Sequence, residues 1–243
     1  MPISLVSLYE SKPVNLERLI VRLQDILFDQ FNDAFSPYQI EQVHATIIGM
    51  ETISIKKRLY SKWCIENEDL AEPIDTELLS DFLRDKIDSF FIKIGGYQPD
   101  VDHGFRSRDA IPFERSFSIQ SNRAVINGWP ILQVGGLTHH STALVNLRNQ
   151  FRSFNLCHKW NINGYQDNDL FLVLGKMDQK TVDPESLISS CAHIRKYLAS
   201  NETCFMIGHD SLSLVEYENP ELPVETTRIL NLNKVDWNKI LVP

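Results

Sequence analysis

The sequence predicts an α+β protein of two pseudo-symmetric lobes, each ordered strand, helix, strand, helix, strand, strand, with antiparallel sheets around a central cleft. Three observations lead there. Stretches of two-residue apolar alternation take turns with stretches carrying the 3.6-residue stripe of amphipathic helices. That element order occurs twice, over residues 3–126 and 130–233, in halves that share order rather than sequence. Finally, 243 residues of which 43% are hydrophobic are ample for one packed core. The expected division is a single bilobal domain with lobe one at 1–128, lobe two at 129–235 and a tail at 236–243.

ISLVSLYE at residues 3–10 alternates as a short strand with at least one buried face. Asn15 is a suitable cap for a helix bearing Leu16, Leu19, Ile20, Leu23, Ile26 and Leu27. QVHATIIGM forms the second strand, and residues 56–72 read as a linker of mixed charge. Asp75 caps a helix carrying Leu78, Leu79, Phe82, Leu83 and Ile87, and SFFIKIGGY is the strand after it. Residues 98–115, charged and twice broken by proline, read as a long surface loop. SFSIQSNRAVINGWPILQVGG reads as two strands about Asn127-Gly128, a dipeptide favoured in tight hairpins.

In the second half Ser141 caps a helix with Leu144, Leu147, Phe151 and Phe154, and DLFLVLGKM is apolar enough to be covered on both faces. Asp183-Pro184 opens a helix with the stripe Leu187, Cys191, Ile194 and Leu198. TCFMIGHDSLSLVEY and TTRILNLNK supply the last two strands.

Composition narrows the function classes. No run approaches the roughly 18 uncharged apolar residues of a membrane span, and MPISLVSLYESK lacks the basic-then-apolar pattern of a secretory leader. A soluble, cytoplasmic protein is expected, with no membrane partner. Cys64, Cys157, Cys191 and Cys204 stand far apart without a CxxC pair, so they read as buried reduced thiols rather than a disulfide framework or zinc ribbon. With 24 Lys+Arg against 32 Asp+Glu the net charge is −8, which argues against unassisted binding to long double-stranded nucleic acid. A small phosphate-containing ligand, an RNA terminus or a protein partner remains open.

The most informative short segment is His44-Ala45-Thr46 on the second strand. Alternation puts His44 and Thr46 on one face about 7 Å apart, where imidazole and hydroxyl can address the same ligand. A phosphate suits that pair: the imidazole moves a proton to or from an oxygen, and the hydroxyl donates to a non-bridging oxygen. A structural histidine held by its neighbours is the alternative reading.

An H-x-T on the second strand, after a strand and an amphipathic helix, inside a repeated β-α-β-α-β-β order, resembles the two-histidine (2H) phosphoesterase superfamily, which includes RNA 2′,3′-cyclic phosphodiesterases and 2′-5′ RNA ligases. The architecture matches over nearly the whole chain, the motif only at His44 and Thr46. The resemblance implies two lobes around a cleft, one H-x-[ST] from each, one histidine as base and the other as acid, and no metal or other cofactor. It assigns proton transfer to His44 and phosphate contact to Thr46.

The second half departs from that pattern. In NDLFLVLGKM, Gly175 is present, but positions 170–173 are Leu, Phe, Leu and Val, so no frame supplies an imidazole or hydroxyl. Two surrogates are conceivable. His209-Asp210-Ser211 satisfies H-x-S, although on a strand the family keeps away from the cleft centre. Thr138-His139-His140-Ser141 lies before a helix start, where backbone N–H groups favour anions, so His140, with His139, could bind a phosphate there or be an ordinary polar loop residue. His103, Arg106, Arg108 and Arg115 form either a basic flap over an anionic ligand or a solvated loop. Gly95-Gly96 and Gly135-Gly136 fit bulges or tight turns rather than nucleotide loops, and no metal-ligand spacing is present. The expected function is thus a 2H-like phosphoesterase acting on a small cyclic nucleotide or RNA-terminal 2′,3′-cyclic phosphate, weakened by loss of the second motif. The alternative is a non-catalytic descendant that binds nucleotides, RNA ends or a protein.

Overall fold

Alternation at the N-terminus produces β1 (Ile3–Ser7) in a computed structural model that describes residues 2–67, 72–85, 87–160 and 166–231. Ile3 and Leu5 join the main core, while Val6 joins a smaller cluster with Tyr9, Val215, Tyr217 and Leu222. Helix α1 (Val14–Phe31) buries the expected leucine and isoleucine stripe. Pro13 rather than Asn15 precedes its first turn; the Asn15 amide instead donates to Thr203 Oγ1 at 2.6 Å and the Cys204 carbonyl at 3.0 Å. The strands β2 (Phe35–Pro37) and β3 (Ala45–Gly49) follow.

The stretch expected as a linker begins with the hairpin β4 (Thr52–Ile55) and β5 (Arg58–Ser61), then α2 (Lys62–Asn67). Its turn residues Lys56 and Lys57 have φ of 49° and 65°, a conformation normally marked by glycine or asparagine, so the sequence carries no turn signal there. Helix α3 (Thr76–Asp85) is capped by Asp75, whose carboxylate accepts the Leu78 N–H at 3.0 Å, and β6 (Phe90–Ile94) follows.

After α4 (Pro112–Arg115) come β7 (Phe117–Gln120) and β8 (Arg123–Val134), and here the Asn127-Gly128 expectation is corrected. β8 runs unbroken through both residues. The tight turns lie on either side of it, at Ser121-Asn122 with φ of 46° and 64° and at Gly135-Gly136 with φ of 59° and 81°, which leads into β9 (Leu137–His140). Gly128 serves packing instead: a Cβ there would lie 2.6 Å from the Ile94 side chain and 2.8 Å from that of Ile92. Asn127 is buried and donates its amide to the Arg115 carbonyl at 2.6 Å.

Helix α5 (Ala143–Gln150), strand β10 (Leu170–Met177) and helix α6 (Pro184–Ser200) come next; the Asp183 carboxylate caps α6 by accepting the Ser186 N–H at 2.9 Å. TCFMIGHDSLSLVEY holds two strands rather than one, β11 (Thr203–Ile207) and β12 (Leu212–Tyr217), and β13 (Thr227–Leu230) is the last. The expected tail 236–243 lies outside the described residues.

Besides the β4-β5 hairpin, the described residues form two antiparallel sheets, β13-β12-β1-β3 and β11-β6-β8-β10-β2, the second a curled half-barrel in which β7 and β9 also pair with the long β8. The sheets do not follow a division at residue 128. β12 returns to pair with β1 and carries β13 on its other edge, while β6, β7 and β8 belong with β10 and β11. Each sheet carries one bulge. Ile47 is extra between the pairs Val6–Thr46 and Leu5–Ile48, and Leu174 between Val125–Val173 and Ala124–Gly175. The Leu174 carbonyl freed by its bulge accepts a 2.8 Å bond from the Gln24 amide of α1. Gly175 is explained by β2, since a Cβ there would collide with the Ser36 carbonyl and Pro37.

The expectation of four reduced thiols is also corrected. Cys64 and Cys157 form a disulfide across 93 residues of sequence, leaving Cys191 half-buried and Cys204 exposed as free thiols. Tertiary packing alone brings the pair together, so their spacing gave no local sign of it. Among the described residues no helix is long and apolar enough to cross a membrane.

Candidate functional site

Where β3 and β10 approach one another, the two sheets leave a cavity of about 380 Å³. Alternation along β3 turns Ala45 and Ile47 into the core and leaves His44, just before the strand, and Thr46 on the cavity wall. Alternation along β10 does the same for Phe171 and Val173, while Leu170, Leu172 and Leu174 are buried on the other face.

His44 is held in one tautomer. Its Nδ1 lies 2.7 Å from the Gln42 carbonyl, so Nδ1 carries the hydrogen and Nε2 is left as an acceptor. The ring meets Tyr9 edge-on with centroids 6.1 Å apart. Burial, with the Lys12 and Arg123 charges adding to it against the Gln42 bond, brings the imidazole pKa down to about 4. At neutral pH it is therefore an uncharged proton acceptor.

Around the mouth, cations and indoles alternate. Arg108 lies 5.3 Å from the Trp160 ring centre, the Lys159 ammonium 5.0 Å from Trp160 and 4.8 Å from Trp63, and the Lys62 ammonium 4.8 Å from Trp63 on its own account. Cation–π contacts of this kind hold ammonium and guanidinium groups over ring faces. Trp63 is fixed by its Nε1–H, which donates to Glu51 Oε2 at 2.8 Å. Arg108, Arg123 and Lys159 bring positive groups to a lining that also carries Glu51 and Glu221, the latter 3.9 Å from Arg123.

Beneath the cavity lie two buried carboxylates on the approach to β10. Asp167 pairs with Arg148 Nη1 at 3.2 Å and with His158 Nε2 at 3.2 Å. Arg148, itself buried, also donates to the carbonyls of Thr46, Ile47, Asp167 and Asp169, so one guanidinium ties β3 to the segment leading into β10. Burial acts to raise the Asp167 pKa, but Arg148 and His158 outweigh it and bring it to about 2. Burial and Arg148 lower His158 to about 4, the Asp167 contact opposing them. Asp169 accepts from Trp129 Nε1 at 2.7 Å, Ser107 Oγ at 2.7 Å and Arg115 Nη2 at 3.1 Å, which anchors the 98–115 loop to the sheet.

The remaining sequence candidates lie elsewhere. His139 is exposed on β9, and His140 stacks on Phe105 with ring centres 3.7 Å apart and a 3.3 Å contact to Asn168; neither lines the cavity. His209 is exposed in a short 3-10 turn between β11 and β12, 3.8 Å from the Asp210 carboxylate, and Ser211 is occupied with Gly208. Of the 98–115 loop, Arg108 reaches the cavity, whereas His103 bonds Gln98 and Arg106 bonds the Asp109 carbonyl. Among the described residues no cluster of three or more His, Cys, Asp or Glu is placed to hold a metal.

Sequence reasoning missed His158, Asp167, Arg148 and the Trp63–Lys159–Trp160 rim. The available signal was the density of chemistry-bearing residues in CHKW at 157–160, in a loop between α5 and β10. No protein-family profile, curated protein or solved structure matches the chain.

Proposed function

We propose that this chain is a 2H-like phosphoesterase whose cleft takes a small cyclic nucleotide or an RNA-terminal 2′,3′-cyclic phosphate, with His44 moving a proton and Thr46 contacting the phosphate. The observation that carries the reading is His44 and Thr46 side by side on the wall of one cavity, the imidazole presenting an uncommitted Nε2. Arg108 and Lys159 with the two indoles beside them suit an anion joined to an aromatic base.

Strand order supports two pseudo-symmetric units. β13-β12-β1-β3 corresponds to β11-β6-β8-β10, with a bulge between the last two strands of each. Aligning the bulged residues Ile47 and Leu174 sets Thr46 against Val173 and His44 against Phe171. This frame differs by one residue from the one that equates Gly49 with Gly175. On this reading the counterpart of the first motif is Phe171-Leu172-Val173, whose Phe171 and Val173 line the same cavity as His44.

Those two apolar side chains favour a second reading, a non-catalytic descendant that binds the same ligands without turning them over. Incubation with 2′,3′-cyclic nucleotides separates the two. The enzyme reading expects measurable hydrolysis that falls about 10²–10⁴-fold in His44→Ala; equal turnover by both proteins removes His44 from the mechanism, and binding without turnover favours the second reading. The Cys64–Cys157 bond fits an oxidising compartment better than the cytoplasm expected from the sequence.

A further inference from the structure

Three segments far apart in sequence bring long side chains into one row at the mouth of the cavity. Lys62 and Trp63 come from the start of α2, Arg108 from the loop between β6 and α4, and Lys159 and Trp160 from the loop before β10. Cation and ring alternate along it. The Lys62 ammonium lies 4.8 Å from the Trp63 ring centre, the Lys159 ammonium 4.8 Å from Trp63 and 5.0 Å from Trp160, and the Arg108 guanidinium 5.3 Å from Trp160. Four of the five line the cavity that also holds His44 and Thr46; Lys62, at one end of the row, does not. Trp160 is 44% exposed and the Lys62 side chain 41%, so the row faces solvent.

Each part of the row is held in place. The Cys64–Cys157 disulfide joins the residue after Trp63 to the residue two before Lys159, so the two indole-bearing segments are tied covalently. Glu51 accepts from Trp63 Nε1, and Glu66 stands 3.8 Å from the Lys62 ammonium. Arg108 and Asp109 are the central residues of a tight turn closed by reciprocal 3.0 Å backbone bonds between Ser107 and Ala110, with φ of 46° and 65°. Two successive non-glycine residues in the left-handed region cost backbone energy. Ser107 Oγ holds the turn against that cost by donating to the buried Asp169 carboxylate at 2.7 Å.

Cations set between flat aromatic faces are what a single nucleic-acid strand needs, its phosphates meeting the charges and its bases stacking on the rings. Neighbouring cations share a ring and so stand within about 10 Å of each other, in reach of nearby phosphates of an extended strand. Stacking of a base outweighs an exposed cation–π contact, so an arriving base takes the ring face and the displaced ammonium turns to a phosphate. An acidic peptide would leave the indoles idle, and a lone mononucleotide in the cavity would leave Lys62 idle. We propose that the row Lys62, Trp63, Lys159, Trp160, Arg108 is a binding track for single-stranded RNA running on from a terminal nucleotide held in the cavity. This rests on the reading of the cleft as a phosphate-ester site, and it narrows the ligand from a free cyclic nucleotide to the end of an RNA strand.

Tryptophan-fluorescence titration with adenosine 3′-monophosphate and with a four-nucleotide oligoadenylate ending in a 3′-phosphate tests it. The unmodified protein is expected to bind the tetranucleotide at least about thirtyfold more tightly, the size of two modest base–indole stacks. For three phosphate contacts, log K is expected to fall against log salt with a slope of about −2. Lys62→Gln is expected to flatten that slope and weaken the tetranucleotide while leaving the mononucleotide unchanged, and Trp160→Leu to weaken the tetranucleotide about fivefold or more. Both side chains are exposed, so neither change threatens the fold. Equal affinities for the two nucleotides overturn the proposal but leave the cleft reading intact. Tight tetranucleotide binding that neither variant moves puts the strand elsewhere and overturns it too. A tetraglutamate peptide bound as tightly as the tetranucleotide replaces it with an acidic protein partner. Failure of the unmodified protein to bind either nucleotide overturns the proposal and the cleft reading together.

Discussion

His44 and His158 pass from water into the protein as neutral rings, and that makes stability depend on pH. Both have folded-state pKa values near 4, brought down from the ordinary 6.5 chiefly by burial. Between pH 6.5 and 4 the unfolded chain therefore binds more protons than the folded one, so stability is fully present above about pH 6.5 and falls as the pH drops towards 4. At about 1.4 kcal/mol per unit, each ring accounts for on the order of 2–3 kcal/mol over that span. Asp167 adds a later loss: with its pKa lowered from 3.8 to about 2, its contribution is present above about pH 3.8 and disappears as the pH falls through 2. Urea unfolding from pH 7 to 4 is expected to show the midpoint falling steadily, and less steeply in His44→Phe. A flat profile would mean that neither ring is desolvated. Alternation sufficed to bring His44, just before β3, and Thr46 within it to the same cavity, because period two is a local property of extended backbone. His158 was illegible for the opposite reason: a loop residue has no period, and its role depends on Asp167 and Arg148 arriving from other parts of the chain.

Elements explain why the cavity keeps its shape. β3 and β10 are joined not by a ladder but by Arg148, which satisfies carbonyls on both sides, and the rim residue Trp63 and the wall residue His158 sit beside the two disulfide cysteines. Closing a loop of 93 residues is worth about 4–5 kcal/mol in the chain-entropy account. Cys64→Ser is therefore expected to lower the unfolding free energy by several kcal/mol, and alkylation of the unreduced native protein to spare Cys64 and Cys157 while labelling exposed Cys204. Labelling of all four would contradict the bond. Apolar stripes made the helices legible, but only two of their four expected caps hold: Asp75 and Asp183 cap their helices, whereas Asn15 lies inside α1 and Thr142 rather than Ser141 precedes α5. The Asn127-Gly128 dipeptide misled because two isoleucines of β6 needed its missing Cβ, and the Lys56-Lys57 turn was hidden because lysine does not advertise a left-handed conformation.

At the scale of the molecule, two antiparallel sheets meet along β3 and β10, and the cavity lies at that meeting. The alternation of strands and amphipathic helices was visible in the sequence, but not the pairing of β12 with β1, since strand pairing over 200 residues leaves no local trace. The whole account turns on that cavity being where a phosphate ester binds. The most direct measurement is a crystal structure with 2′,3′-cyclic AMP. The expected result is phosphate density within hydrogen-bond reach of His44 Nε2 and the Thr46 hydroxyl, with the base against the Trp63–Trp160 rim; an empty cavity, or nucleotide bound only beside His139, His140 or His209, would contradict it.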